Sequence, residues 1–248
     1  MQSNVEHYQA LARVYRLFYH DYEGTMREEG AWLAALLHRL GARTVLDACC
    51  GIGRQAIPLA EAGFLVVAAD PCGAMLAEAK RLSGERDLSI AWLLSDFEGL
   101  STTLSGQFDA VIALGNGLCH CPTRDAVGRA LAALRRFNAP AGACVVGIKD
   151  FDRLRGASRQ SHAYGRCEEE GMTSDLTQTW DVQEPQLICR TVLRRRDSAS
   201  GRVQSEVRAE TREYMLGSAE LREVAAEVGF RSVEPLAHPG EAVYLLRP

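Results

Sequence analysis

Two clusters of residues have types and spacing suited to chemistry. In Val45-Leu46-Asp47-Ala48-Cys49-Cys50-Gly51-Ile52-Gly53 an apolar run ends in an acid and then a glycine turn. Residues without a Cβ let the backbone turn sharply and come close to a ligand at the mouth of a following helix. The next apolar run, 64–69, ends at Asp70. That is about the 20-residue spacing at which nucleotide-binding loops place an acid for ribose hydroxyls. Glycines alone do not choose between ligands, and a nicotinamide dinucleotide remains an alternative. Asp47 discriminates: a carboxylate directly before the turn repels a pyrophosphate and suits an ammonium group, unless it only caps the following helix.

The second cluster, Leu114-Gly115-Asn116-Gly117-Leu118-Cys119-His120, follows the apolar run 109–114. An Asn at such a strand end can donate and accept, and open parallel sheets bind ligands there. His120 titrates near neutrality, as a general base for an amine nucleophile requires; a packed histidine is the alternative. Lys149, one of only two lysines beside Lys80, ends the run 143–149 and is a candidate for an anionic substituent. Cys119-His120-Cys121 offers two thiols and one imidazole, short of a complete metal site, and no metal is expected.

These residues sit in a recognisable rhythm. Apolar runs at 44–47, 64–69, 89–94, 109–114 and 143–149 alternate with helical segments near 54–62, 73–82 and 123–137. Such alternation implies a parallel sheet with helices on both faces. After Asp150 the segments 162–170, 174–183, 186–196 and 202–216 carry Thr, Val, Tyr and Trp between turn signals, as antiparallel strands do. Ser218 is expected to cap a helix from Ala219 to Val228, with two final strands after it. The expected fold class is α/β: a Rossmann-like, doubly wound, mostly parallel seven-stranded sheet with an inserted antiparallel β cap. Its parts are N-terminal helices over the site (1–40), the ligand-binding core (41–150), the cap (151–216) and a closing helix and strands (217–248).

Composition narrows the partners. The chain has 248 residues, 47% hydrophobic and 24% charged, with a net charge of -4, which disfavours nucleic acid and anionic membrane. The arginines at 153, 155, 159, 166 and 194–196 are interspersed with acids at 168–170, 175 and 181, so a solvated surface is expected there. No run approaches the roughly 18 apolar residues of a membrane span. The reading is a cytoplasmic protein with reduced thiols, a small-molecule partner, no nucleic acid and no membrane, with a homo-oligomer left open.

The segment VLDACCGIGRQAIPLAEAGFLVVAADPCGAML resembles the first two motifs of class I S-adenosylmethionine-dependent methyltransferases. LGNGLCH and Val145–Asp152 are similar to the glycine N-methyltransferase-like branch of that family. The resemblance implies S-adenosyl-L-methionine as methyl donor and S-adenosyl-L-homocysteine as product. It assigns Asp47 to the donor's amino end, Asp70 to the ribose, and Cys49, Gly51, Gly53 and Leu114 to the lining. Asp96 and Phe97 become the adenine pair. On the acceptor side it implies Asn116 and His120 as catalytic, with Tyr15, Tyr19, Tyr22 and Lys149 binding substrate. Three positions depart from the family: Lys149 stands for an arginine that pairs with the glycine carboxylate, Gly117 for a serine, and Thr25 for the arginine that holds the donor carboxylate. Arg27 is the nearest substitute for the last. The implied activity is methylation of a small molecule, most simply the nitrogen of an amine or amino acid. Methylation of oxygen, sulfur or carbon, and a non-catalytic donor-binding module, remain alternatives.

Overall fold

A computed structural model describes residues 4–156, 159–169, 171–238 and 241–248. Helix α1 (Asn4–Leu11) continues into a 3-10 segment (Ala12–Phe18), and α2 (Tyr22–Arg39) follows, capped by the Asp21 side chain accepting from Gly24 N. Then β1 (Thr44–Asp47), α3 (Ala56–Glu61), β2 (Leu65–Asp70), α4 (Gly73–Gly84) and β3 (Ala91–Leu94) alternate. They are followed by α5 (Leu100–Thr103), β4 (Phe108–Ala113), α6 (Arg124–Phe137) and β5 (Asn138–Ile148). A single turn, α7 (Phe151–Leu154), leads to β6 (Gln160–Glu169), β7 (Met172–Gln183), β8 (Gln186–Asp197) and β9 (Val203–Tyr214). The chain closes with α8 (Ser218–Glu227), β10 (Ser232–Leu236) and β11 (Ala242–Arg247).

The main sheet has the order β10-β11-β5-β4-β1-β2-β3, and β6 to β9 form a separate antiparallel meander. Only the β10–β11 and β11–β5 pairings are antiparallel in the main sheet. This is the Rossmann-like sheet and β cap expected from the apolar rhythm. Val45 and Leu46, adjacent and so facing opposite sides of β1, are both fully buried, because helices cover both faces. Strand order reverses between β1 and β4, which leaves a crevice at their carboxyl ends.

Several boundaries differ from expectation. Strand β5 starts at Asn138 instead of 143, directly after α6. Ser218 is not the cap of α8: Gly217 holds that place, and Ser218 is the first helical residue. Its Oγ (2.8 Å) and backbone N (3.2 Å) both donate to Asp152 Oδ2, so an acid from α7 satisfies the helix end through space. The expected cap strand 162–170 ends at Glu169, and Glu170 lies outside the described residues. Among the described residues no helix is long and apolar enough to cross a membrane.

Candidate active site

The turn after β1 is shaped by Asp70. Its Oδ2 accepts from Gly51 N and its Oδ1 from Cys72 N, each at 2.9 Å, so one carboxylate fixes both strand-end loops and keeps lone pairs facing outward. Gly51 (φ 54°) and Gly53 (φ 87°) adopt the left-handed backbone that favours glycine. Asp47 lies beneath this turn with 1% exposure. Its Oδ1 accepts from Cys49 N at 3.4 Å, while its buried Oδ2 has no protein partner. Burial pushes this carboxyl up to about 7, opposed by the Cys49 hydrogen bond. A buried acceptor without a donor is costly.

A cavity of about 420 Å³ opens beside the turn, with Cys49, Asp70, Asp96, Phe97 and Gly117 in its wall. Helix α1 closes it through Asn4, Val5 and Tyr8. Gly117 permits close packing here: a Cβ would fall 2.3 Å from Cys49 Sγ. Asp96 Oδ1 accepts from Gly99 N at 2.7 Å, which holds the loop carrying Phe97. Asp47, Gly51, Gly53 and Leu114 shape the turn from behind and are not in this wall. Arg27 does not reach it at all. It lines a separate groove between α2 and α3 with Glu23, Gly30 and Pro58.

A second cavity of about 350 Å³ lies across the 115–117 loop, lined by Tyr8, Tyr15, Tyr19, Asn116, Lys149 and others. Gly115 and Asn116 face this cavity and Gly117 faces the first, while Tyr8 lines both. Asn116 sits at φ 72°, held by accepting from Lys149 N through Oδ1 and donating to Glu213 Oε2 at 3.3 Å. Tyr15 and Tyr19 enter this wall as expected positions. Tyr22 does not; it is buried against Met26 and Ile57, a packing role.

Lys149 is already engaged. Its Nζ donates to Glu213 Oε2 at 2.6 Å and stands 4.3 Å from the Trp180 ring centre. Burial opposes charge on both partners, yet the Glu213 carboxylate raises Lys149 above the ordinary lysine value and the Lys149 ammonium holds Glu213 below the ordinary carboxylate range. Arg54 likewise pairs with Glu29 and lies 5.3 Å from the Tyr19 ring centre. Sequence reasoning passed over Tyr8, Arg54, Trp180, Glu213 and Glu241. Arg54 was accessible, being next to Gly53; Glu213 shares an inward strand phase with Ala209 and Thr211, where an acid is conspicuous.

His120 belongs to the first cavity and reaches the second through Tyr8. Asn4 Oδ1 accepts from Thr211 Oγ1 (2.8 Å) and Arg212 N (3.1 Å), and its Nδ2 donates to Arg212 O (3.1 Å). The amide orientation is therefore fixed, and the Nδ2 that faces His120 Nδ1 at 3.3 Å is a donor. His120 Nε2 lies 2.7 Å from Tyr8 Oη, within hydrogen-bond reach. Burial lowers His120, opposed by Glu213, and its imidazole lies in the wall of the first cavity beside Tyr8.

All eight cysteines are free thiols, five of them buried. Among the described residues no three metal-ligating side chains gather.

A doubly wound sheet with its crevice at the β1–β4 switch point and an acid-bearing glycine turn there defines a class I methyltransferase fold. Residues 45–142 match a family model described as a methyltransferase domain. A glycine/sarcosine N-methyltransferase of Parasynechococcus marenigrum is 36% identical over 54% of this chain and 48% of its own. The Mus musculus glycine N-methyltransferase is 34% identical over 58% and 53%. The chain thus spans about half the length of the curated relatives it matches. Among solved structures, DesVI of Streptomyces venezuelae superposes with a TM-score of 0.77 at 19% identity, covering 100% and 99% of the two chains. An amino pentose methyltransferase of Micromonospora echinaspora, solved with S-adenosylmethionine bound, gives 0.74 at 21% identity, covering 90% and 92%. Residues 45–142 thus match a methyltransferase domain, about half of the chain is similar in sequence to glycine and sarcosine N-methyltransferases, and the described residues share the fold of solved methyltransferases.

Proposed function

We propose that this protein transfers a methyl group from S-adenosylmethionine to the nitrogen of a small amine. The observation that carries the reading is the pair of cavities separated by the 115–117 loop, one walled by Asp70 and Phe97 and the other by aromatic and carboxylate groups. Two ligands seated on either side of one thin loop are placed for direct exchange. The residues fit the donor: Asp47 Oδ2 awaits a buried donor group, Asp70 offers lone pairs to a diol, and Phe97 offers a ring face. When bound, the donor supplies an electrophilic methyl carbon whose sulfonium leaving group needs no acid assistance.

The protein's own contribution is alignment, which can account for most of the rate in such a displacement. Asn116, locked at both ends of its amide, and the Tyr8 hydroxyl orient the nucleophile. The cap strands β7 and β9 exclude water by bringing Trp180 and Glu213 over the cavity. Attack by the amine lone pair forms the N–C bond as the C–S bond breaks, and the ammonium formed loses its extra proton to bulk solvent on release. The names of the sequence relatives, all acting on glycine or its methylated forms, support an amine acceptor, as do the sugar N-methyltransferase and amino pentose methyltransferase among the fold neighbours.

Calorimetry with S-adenosylhomocysteine tests the donor half, and mass spectrometry of amine panels incubated with protein and donor tests the transfer. Tight binding and a one-methyl mass gain on an amine are expected. Absence of binding would remove the donor assignment; binding with transfer only to oxygen, sulfur or carbon would remove the N-methyl assignment.

A further inference from the structure

The second cavity has an unusual charge balance. Its described lysine and arginine side chains are Lys149 and Arg54, and each is paired with a carboxylate, Glu213 and Glu29 respectively. Both pairs are largely shielded from water, with side-chain exposures of 19% and 8% for Lys149 and Glu213 and 11% and 16% for Arg54 and Glu29. A third acid, Glu241, lines the same cavity. Its oxygens accept from Gly115 N at 3.1 and 3.2 Å, and among the described residues no lysine or arginine nitrogen lies within ion-pair distance of it. His7 in the same wall is lowered to about 4 by burial and is neutral at physiological pH. Counted by side chain, the cavity therefore holds one carboxyl group more than its lysine and arginine groups; burial raises Glu241, opposed by Arg54.

A second anion brought to Lys149 would share one ammonium with Glu213 in a dehydrated wall, and in low dielectric like charges repel strongly. A cation meets the reverse situation, with the Glu241 carboxylate available and the rings of Tyr15, Tyr19 and Trp180 around it. We infer that the acceptor is an amine bearing no carboxylate, admitted as an ammonium that gives one proton to the Glu241 carboxylate to free its lone pair for attack, and that the Lys149–Glu213 pair bars amino acids such as glycine. This rests on the amine-acceptor reading above and deepens it: the closest position to a carboxylate anchor is occupied by the protein's own acid.

The experiment compares kcat/KM for matched acceptors, ethanolamine and N-methylethanolamine against glycine and sarcosine, together with amino sugars, at pH 8 with saturating donor. Carboxylate-free amines should exceed amino acids by at least about tenfold, the scale of one uncompensated charge contact. Equal or better transfer to glycine or sarcosine overturns this inference and leaves the N-methyl reading intact. No transfer to any amine by protein that binds S-adenosylhomocysteine overturns both. Two variants give independent readouts, with unchanged S-adenosylhomocysteine affinity certifying their fold. Glu241→Gln should cut kcat/KM for the preferred amine about tenfold, mostly in KM. Glu213→Gln, which frees Lys149, should raise kcat/KM for glycine relative to ethanolamine. A Glu213→Gln protein that folds but shows no gain toward carboxylates, or a Glu241→Gln protein with unchanged KM, counts against the inference.

Discussion

Replacing Asp47 with Asn should stabilise the ligand-free protein at pH 8 and weaken its grip on the donor. The Asp47 carboxyl is raised from the ordinary 3.8 to about 7, chiefly by burial. Folding thus takes up a proton between about pH 4 and pH 7, and the stability present below that window is lost as pH rises through it and stays lost above. At about 1.4 kcal/mol per pH unit the full penalty is about 4 kcal/mol. Asn keeps the oxygen that accepts from Cys49 N and removes the charge, but adds a buried NH2 that costs about 1–3 kcal/mol if unpaired. The net gain is therefore about 1–3 kcal/mol, a Tm rise on the order of 5 °C at this chain length. Differential scanning calorimetry should show that rise at pH 8, shrinking and reversing near pH 4. Titration with S-adenosylhomocysteine should show at least about tenfold weaker binding by the variant at pH 8, since a hydrogen bond to a charged group is worth about 1.5–3 kcal/mol. Wild-type affinity should itself weaken below about pH 7 as Asp47 becomes protonated. A variant that melts lower at pH 8, or binds the product as tightly as the wild type, would refute the argument that this carboxylate is held unsatisfied for a ligand.

Removing the Lys149 ammonium by Lys149→Met leaves Glu213 charged and buried, which should cost about 3 kcal/mol in urea denaturation, and Glu213→Leu in the same chain should recover most of it. Gly117→Ala places a Cβ 2.3 Å from Cys49 Sγ; a shift of that wall should weaken S-adenosylhomocysteine binding by about tenfold, or ~1.4 kcal/mol, by calorimetry. Tyr8→Phe removes the hydroxyl that joins the two cavities and should lower kcat roughly tenfold with donor affinity unchanged. A kcat within twofold of wild type would remove Tyr8 from the machinery.

The proposed donor half of the site is nearly continuous in sequence: Asp47, the glycines and Asp70 fall at the ends of two adjacent parallel strands, and strand ends are visible as apolar runs stopping. Asn116 was readable for the same reason. The acceptor half was not, because its walls come from β7, β9 and the loop before β11, brought over the crevice by the cap. Nothing in the local sequence says that Glu213 meets Lys149 across 64 positions. Arg27 shows a geometric limit: chemical likeness to a missing arginine ignored the helix phase, which places Arg27 on a groove between α2 and α3. Tyr22 shows the converse, an aromatic at a suitable distance whose side chain the core had already claimed.

Asn4 bonds to β9 of the cap and to His120 of the core, while the helix it begins walls the first cavity and lends Tyr8 to the second. One side chain therefore ties cap to core at the wall of the first cavity. Were a ligand to leave the first cavity past α1, these hydrogen bonds would break, and lid opening of this kind commonly limits turnover. The kinetic signature is a drop in kcat with added viscogen, relieved by Asn4→Ala, in a protein whose chemistry is itself untouched.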